Sequence, residues 1–258
     1  MEFPLIYCNG DSYSNDRYSP SLLNGTYANV VAESCQGFVI NKSINGSCNR
    51  RIIRTTLHDL ILQRQQNPMQ KIIALIGLSF ELRSEIWVDE IKKPIAPEES
   101  NFVTHIFTKQ INWRDNLLNG IEIQTPNREQ LNEKFLKEYS NGRAFFYSSY
   151  AERINLLTDL IMFRATLDSL NINFLVFQSP AAEPLESDYL LDFLKNQIKD
   201  DRRFYDLEKF GFCNWANQQG FIPLDLQDTP DIGHFGSDAH RAFAVDVLLP
   251  RLEELNFI

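Results

Sequence analysis

The stretch Leu5-Ile6-Tyr7-Cys8-Asn9-Gly10-Asp11-Ser12-Tyr13-Ser14 decides how this chain folds. Four apolar residues give way abruptly to Asn, Gly, Asp and Ser, the residue types that make tight turns. The pattern predicts a buried strand in the middle of a sheet, delivering a serine to a turn. Open α/β sheets bind their ligands at the carboxyl ends of the strands, so Ser12 stands where chemistry is done. A Gly-Asp-Ser tripeptide also makes an ordinary Asx turn, so function depends on what the rest of the chain brings to this one.

Downstream, strand and helix signatures alternate. A helix is predicted over Asn24 to Ser34, with Tyr27, Val30, Val31 and Cys35 along one side and Gly37 as its stop. Phe38-Val39-Ile40 is a second strand. It leads through Asn45-Gly46-Ser47-Cys48-Asn49 into a helix that runs to about Gln66, with Ile53, Leu57, Leu60 and Ile61 at helical spacing. Lys71 to Ile76 is a β-branched run of buried-strand type, ending at Gly77-Leu78-Ser79. Strand, helix, strand, helix, strand predicts right-handed βαβ units and a mostly parallel sheet. Further on, a long helix over Ser149 to Leu170 precedes a fourth strand, Ile172 to Phe177. Glu186 to Lys199 is helical by the spacing of Leu190, Phe193, Leu194 and Ile198, and Phe221 to Leu226 is a short fifth strand. A final helix starts near Ser237 and is kinked or interrupted by Pro250.

Between the third strand and the long helix the period is lost. From Trp87 to Thr125 the chain carries Pro94, Pro97 and the aromatics Trp87, Phe102, Phe107 and Trp113, and a short helix capped by Asn127 follows. This reads as a helical or irregular insertion at about residues 86–146, an ordered cover over the carboxyl end of the sheet in a single domain spanning 1–258.

Composition narrows the function. A net charge of -9 with dispersed basic residues argues against nucleic acid as the partner. No apolar run approaches the ~18 residues of a membrane span, and no secretory leader precedes the first strand, so a soluble, cytoplasmic protein is expected. Cys8, Cys35, Cys48 and Cys213 lack metal-ligand spacing and read as reduced thiols. No nucleotide fingerprint or metal cluster is present, and no cofactor is expected.

A serine hydroxyl needs a base, and the base needs a group that holds its tautomer. Of the four histidines, His58 lies mid-helix and His105 in the insertion, which leaves His234 and His240. Asp231 and His234 have a spacing that lets one loop present both side chains, the carboxylate to one ring nitrogen while the other faces the serine. Asp11 is an alternative orienter, but beside the serine it suits bracing the turn.

Gly10-Asp11-Ser12-Tyr13-Ser14 resembles the nucleophile block of the SGNH (GDSL-type) hydrolases, with Tyr13 where leucine is more usual. His234-Phe235-Gly236-Ser237-Asp238-Ala239-His240 resembles their last block, in which the base opens the final helix. The resemblance implies a flavodoxin-like three-layer α/β/α sandwich with a catalytic triad of Ser12, His234 and Asp231, and a packing or capping role for His240. It implies an oxyanion hole built from the N–H groups of Ser12 and Gly46. The third block opens at Gly77 but departs from the family, placing Ser79 where asparagine is usual. Either the Ser79 hydroxyl or the Asn49 amide then supplies the third donor. Asp11, Tyr13 and Arg83 are candidates for the substrate pocket, although Arg83 and Glu85 also suit a simple ion pair. What the resemblance implies is an esterase acting on a small acyl or acetyl ester, including one carried by a carbohydrate. An O-acyltransferase using the same residues, and a non-catalytic binding module on the same scaffold, are the alternatives.

Overall fold

The first strand, β1 (Leu5–Asn9), is buried along its whole length, and its side chains alternate between two separate cores. Ile6 and Cys8 join one apolar cluster, Leu5 and Tyr7 the other. Such a strand needs cover on both faces, and the rest of the fold supplies it. A computed structural model describes residues 3–15, 25–80, 83–87, 102–107, 121–124, 149–180, 188–224 and 234–258.

The central sheet is parallel throughout and adds β2 (Phe38–Asn41), β3 (Ile72–Leu78), β7 (Asn173–Gln178) and β8 (Phe204–Tyr205) to β1, in the order β2-β1-β3-β7-β8. One face carries α1 (Tyr27–Ser34), α5 (Phe212–Gln218), α6 (Ser237–Phe243) and the carboxyl-terminal turns, packed on Ile73, Leu75, Leu175 and Phe177. The other carries α2 (Asn49–Gln66), α3 (Ser149–Ser169) and α4 (Tyr189–Ile198), packed on Ala74, Ile76, Phe174 and Val176. This is the expected three-layer α/β/α sandwich. Its chain turns one way from β1 to β2 and the other way to reach β3, which makes the carboxyl ends of β1 and β3 the switch point where ligands bind.

Several helix ends use one device. After α1, α3 and α5, and after the last helical turn, a left-handed residue (Gln36, Asn171, Gly220 and Asn256) lets the following N–H reach back to a carbonyl five residues earlier. Gly37, read as the stop of α1, is therefore one position beyond it. Its lack of a side chain serves a close approach instead, because a Cβ there would lie 2.4 Å from the carbonyl oxygen of Pro4.

Four features differ from the sequence reading or add detail to it. The fifth strand is Phe204–Tyr205, only two residues long, whereas Phe221 to Leu224 form no strand; Asp225 and Leu226 lie outside the described residues. In the insertion, β4 (Arg83–Trp87), β5 (Phe102–Phe107) and β6 (Ile121–Gln124) form an antiparallel sheet in place of an irregular or helical segment. Phe102-Val103-Thr104-His105-Ile106-Phe107 is β-branched and aromatic, a composition that suits a strand even where prolines nearby hide the period. The helix expected after Asn127 lies outside the described residues. On α4, Leu191 and Ile198 face the core, whereas Leu190 and Phe193, whose spacing marked the helix, are exposed. Finally, the last helix passes through a π turn, Ala244–Leu248, before α7 (Leu249–Glu254). Pro250 cannot donate to the carbonyl of Asp246 and its ring crowds it, so the wider turn falls just upstream of the proline.

Among the described residues no helix is long and apolar enough to cross a membrane, and no group of three or more His, Cys, Asp or Glu side chains gathers as a metal site. All four cysteines are among the described residues, and none forms a disulfide.

Candidate active site

The carboxyl end of β1 opens into a turn closed by the Ser14 N–H on the Asp11 carbonyl at 3.1 Å. Buried side chains fix the turn from every side. The Asn9 amide donates to Thr55 Oγ1 (2.9 Å), Thr56 Oγ1 (3.0 Å) and the Ile52 carbonyl (3.2 Å) on α2, while its oxygen accepts the Gly10 N–H at 2.9 Å. Tyr27 on α1 donates to Ser14 Oγ at 2.5 Å and accepts from the Cys8 thiol. Asn41, ending β2, donates to the Ser14 carbonyl at 2.8 Å. Gly10 and Gly77 leave the room this needs, since a Cβ on either would stand 2.3 or 2.7 Å from Ser14 Oγ.

Held in that turn, Ser12 Oγ lies 2.7 Å from His234 Nε2, across 222 residues of sequence. Two distant parts of the chain meet here. His234 lies three residues before the start of α6, and its carbonyl accepts the Leu224 N–H at 2.7 Å. Asp231 lies outside the described residues. His240, one turn into α6, is buried, with its ring stacked on Tyr27 and tilted on Phe212. Its Nδ1 has no hydrogen-bond partner among the described residues, and burial, helped by the nearby His234, pushes its pKa down to about 3. Packing is one of the two roles, packing or capping, that the resemblance implies for it, and the ring contacts agree with that one. His58 is exposed on α2 beside Asp59. His105 lies on β5, with its side chain outside the description.

The region around Ser79 separates the two candidates for the third donor. Ser79 Oγ donates to Asp11 Oδ2 at 2.7 Å, and its N–H donates to Asn49 Oδ1, also at 2.7 Å. Both protons of Ser79 are thereby engaged, which removes its hydroxyl from the oxyanion role. Asn49, in the first turn of α2, returns a bond from Nδ2 to the Ser79 carbonyl at 3.1 Å. That bond uses one of the two amide protons.

Gly46 has φ +77°, a conformation that an L side chain resists, in a turn closed by the Ser47 N–H on the Ile44 carbonyl. This turn touches the serine turn directly: the Ile44 N–H reaches the Gly10 carbonyl at 3.2 Å, and Asn15 Nδ2 reaches Asn45 Oδ1 at 2.8 Å. Thus β1, β2 and β3 all end at one place.

Two of the candidates for the substrate pocket, Asp11 and Tyr13, are buried. Asp11 is fully buried; besides accepting from Ser79, it accepts the Tyr13 N–H on Oδ1 at 3.1 Å, the bracing role weighed for it. Tyr13 is 3% exposed and lies flat against His234, with ring centroids 4.7 Å apart and planes at 20°. Sequence reasoning missed this partnership because nothing in the turn shows which ring the tyrosine meets. The backbone of Arg83 is on β4, and its side chain lies outside the described residues.

No family model and no curated protein matches the chain. Solved structures do match it. The psychrotrophic esterase EstA from Pseudoalteromonas sp. is 11% identical, with 97% of each chain covered and a TM-score of 0.45. A catalytic mutant of Axe2, an acetylxylan esterase from Geobacillus stearothermophilus, is 14% identical over 97% of this chain and 95% of that one, with a TM-score of 0.41. The acetyl xylan esterase AlAXEase is 13% identical over 95% and 98%, with a TM-score of 0.39. Two further neighbours are described as a putative lipolytic protein of the G-D-S-L family from Desulfitobacterium hafniense and a putative GDSL-like lipase from Parabacteroides merdae.

Proposed function

We propose that the protein is a serine esterase that cleaves a small carboxylic ester by way of an acyl-enzyme. The observation that carries this reading is the 2.7 Å approach of His234 Nε2 to Ser12 Oγ at the switch point of the sheet. A hydroxyl and an imidazole at that separation are a nucleophile and its base.

In the proposed reaction, His234 takes the Ser12 proton as Oγ attacks the ester carbonyl. The tetrahedral oxyanion is met by the N–H groups of Ser12 and Gly46 and by the second Nδ2 proton of Asn49. As the intermediate collapses, the imidazolium returns the proton to the departing alcohol. Water, deprotonated by His234, then releases the acid and frees Ser12. Asp231 holds the imidazole tautomer from the loop before the base. Ser12 is only 5% exposed, which favours a small acyl group such as acetyl, with the alcohol side, a carbohydrate hydroxyl among the candidates, directed away from the turn. The non-catalytic alternative rests on the missing third-block asparagine, and Asn49 beside Ser79 weakens that ground.

The test is covalent labelling by a fluorophosphonate, with turnover of p-nitrophenyl acetate measured in parallel. Wild type should label with one equivalent and hydrolyse the ester, and Ser12→Ala should do neither while keeping its melting temperature. Equal, negligible labelling of the two proteins would remove the catalytic reading.

A further inference from the structure

Tyr13 directly follows the nucleophile, and its ring covers one face of the base. Its own position is fixed at both ends. Its N–H is held by Asp11 Oδ1, and Phe80 packs edge-on against its ring at 6.2 Å and 61°. Phe80 in turn follows Ser79, the residue clamped between Asp11 and Asn49. A continuous column therefore runs from the end of β3 through Phe80 and Tyr13 to His234. The same short turn sets both the Ser12 hydroxyl and the surface on which the imidazole lies.

We propose that Tyr13 is a positioning residue for His234, in addition to the triad and resting on the hydrolase reading above. The stack acts in two ways. It keeps the imidazole plane aligned so that Nε2 points at Ser12 Oγ. It also presents an electron-rich ring face to a group that is neutral before the reaction and cationic in the transition state. An interaction that strengthens only as the imidazolium forms raises kcat and leaves KM alone. Leucine at this position fills space but offers no π face. The stack asks nothing of the phenol hydroxyl, so phenylalanine should do as well as tyrosine.

The experiment compares wild type, Tyr13→Phe and Tyr13→Leu for p-nitrophenyl acetate turnover per fluorophosphonate-titrated site. In parallel, the imidazole proton resonances of His234 are followed by NMR in a Ser12→Ala background. With four histidines in the chain, His234→Gln assigns the signal. Tyr13→Leu should lower kcat by about 3- to 30-fold with KM unchanged, the range expected for losing a cation–π contact. The His234 resonances should move downfield as the tyrosine ring current is lost, and Tyr13→Phe should restore both. An unmoved resonance in Tyr13→Leu, an unchanged kcat, or a KM effect without a kcat effect overturns the proposal. If wild type is neither labelled nor active but the resonance moves as expected, the hydrolase reading fails and takes the catalytic role of Tyr13 with it, while the stack itself stands.

Discussion

Asn49 is the residue whose replacement discriminates most sharply, because its amide is asked to do two jobs. Its Oδ1 accepts the Ser79 N–H at 2.7 Å and its Nδ2 donates to the Ser79 carbonyl at 3.1 Å, both in buried surroundings. Truncation to alanine strands a backbone donor and a backbone acceptor away from water. At roughly 1–3 kcal/mol for each of the two orphaned groups, Asn49→Ala should cost about 2–6 kcal/mol of stability. That is a large share of the ~5–15 kcal/mol a domain has to lose. The catalytic job is separable, because losing one oxyanion donor lowers kcat by about 10²- to 10³-fold. Asn49→Asp makes the separation: an ionised carboxylate of the same shape still accepts from the Ser79 N–H but can donate to nothing. Urea unfolding measures the first effect, and p-nitrophenyl acetate turnover per titrated active site measures the second. Asn49→Asp should lose at least about 10²-fold in kcat even under conditions where it is fully folded. A kcat within a few-fold of wild type would show that Asn49 only fastens the end of β3 and that the oxyanion is held without it.

Two further outcomes follow from buried geometry. In Gly77→Ala, the new methyl would stand 2.7 Å from Ser14 Oγ and 2.8 Å from Ser179 Oγ, so the serine turn must shift. A stability loss of about 1–3 kcal/mol and slower fluorophosphonate labelling are expected, and adding Ser14→Ala should recover part of each in a double-mutant cycle. His240 is neutral in the folded protein, with a pKa near 3 against about 6.5 in the unfolded chain. As pH falls from 6.5 towards 3, the unfolded chain gains a proton that the folded one refuses. Stability is therefore lost over that window and is fully present above it, by about 2–3 kcal/mol at pH 4.5. Because Nδ1 has no partner among the described residues and the ring packs on Tyr27 and Phe212, His240→Phe should fold and should lose less melting temperature between pH 7.5 and 4.5 than wild type. An equal loss in both proteins would place the acid sensitivity elsewhere.

What was legible in the sequence was whatever a local pattern encodes. The apolar runs of β1, β3 and β7 end in Gly, Ser and Gln-Ser-Pro, and those breaks mark the carboxyl edge of the sheet from the sequence alone. The pairing of Ser12 with His234 was readable because each lies in a motif at an element boundary. Phe204–Tyr205 was not readable, because two residues cannot display a period, and their strand character comes from pairing with Val176 and Phe177. The insertion strands were masked by the prolines and charges between them. Asn49 and Tyr13 illustrate a different limit. Their partners, Ser79 and His234, are distant in sequence, and no spacing rule tells an asparagine at a helix start which strand end it will clasp. The place of Tyr13 beside the serine says nothing of the ring on which it packs, that of His234.

The departure at Ser79 gains a physical meaning once those contacts are included. An asparagine there would offer an amide from the end of β3, whereas here the neighbouring α2 places the Asn49 amide beside Ser79 and the serine holds Asp11. Asp11 in turn fixes the N–H of Tyr13, the residue on which the base lies. Removing the Ser79 hydroxyl would therefore act on the imidazole through Asp11 and Tyr13, with no direct contact between Ser79 and His234 required. The parallel order β2-β1-β3 is what permits this, because it gathers the ends of three strands within the reach of single side chains. A substitution at any of the three can then be felt at the reacting pair.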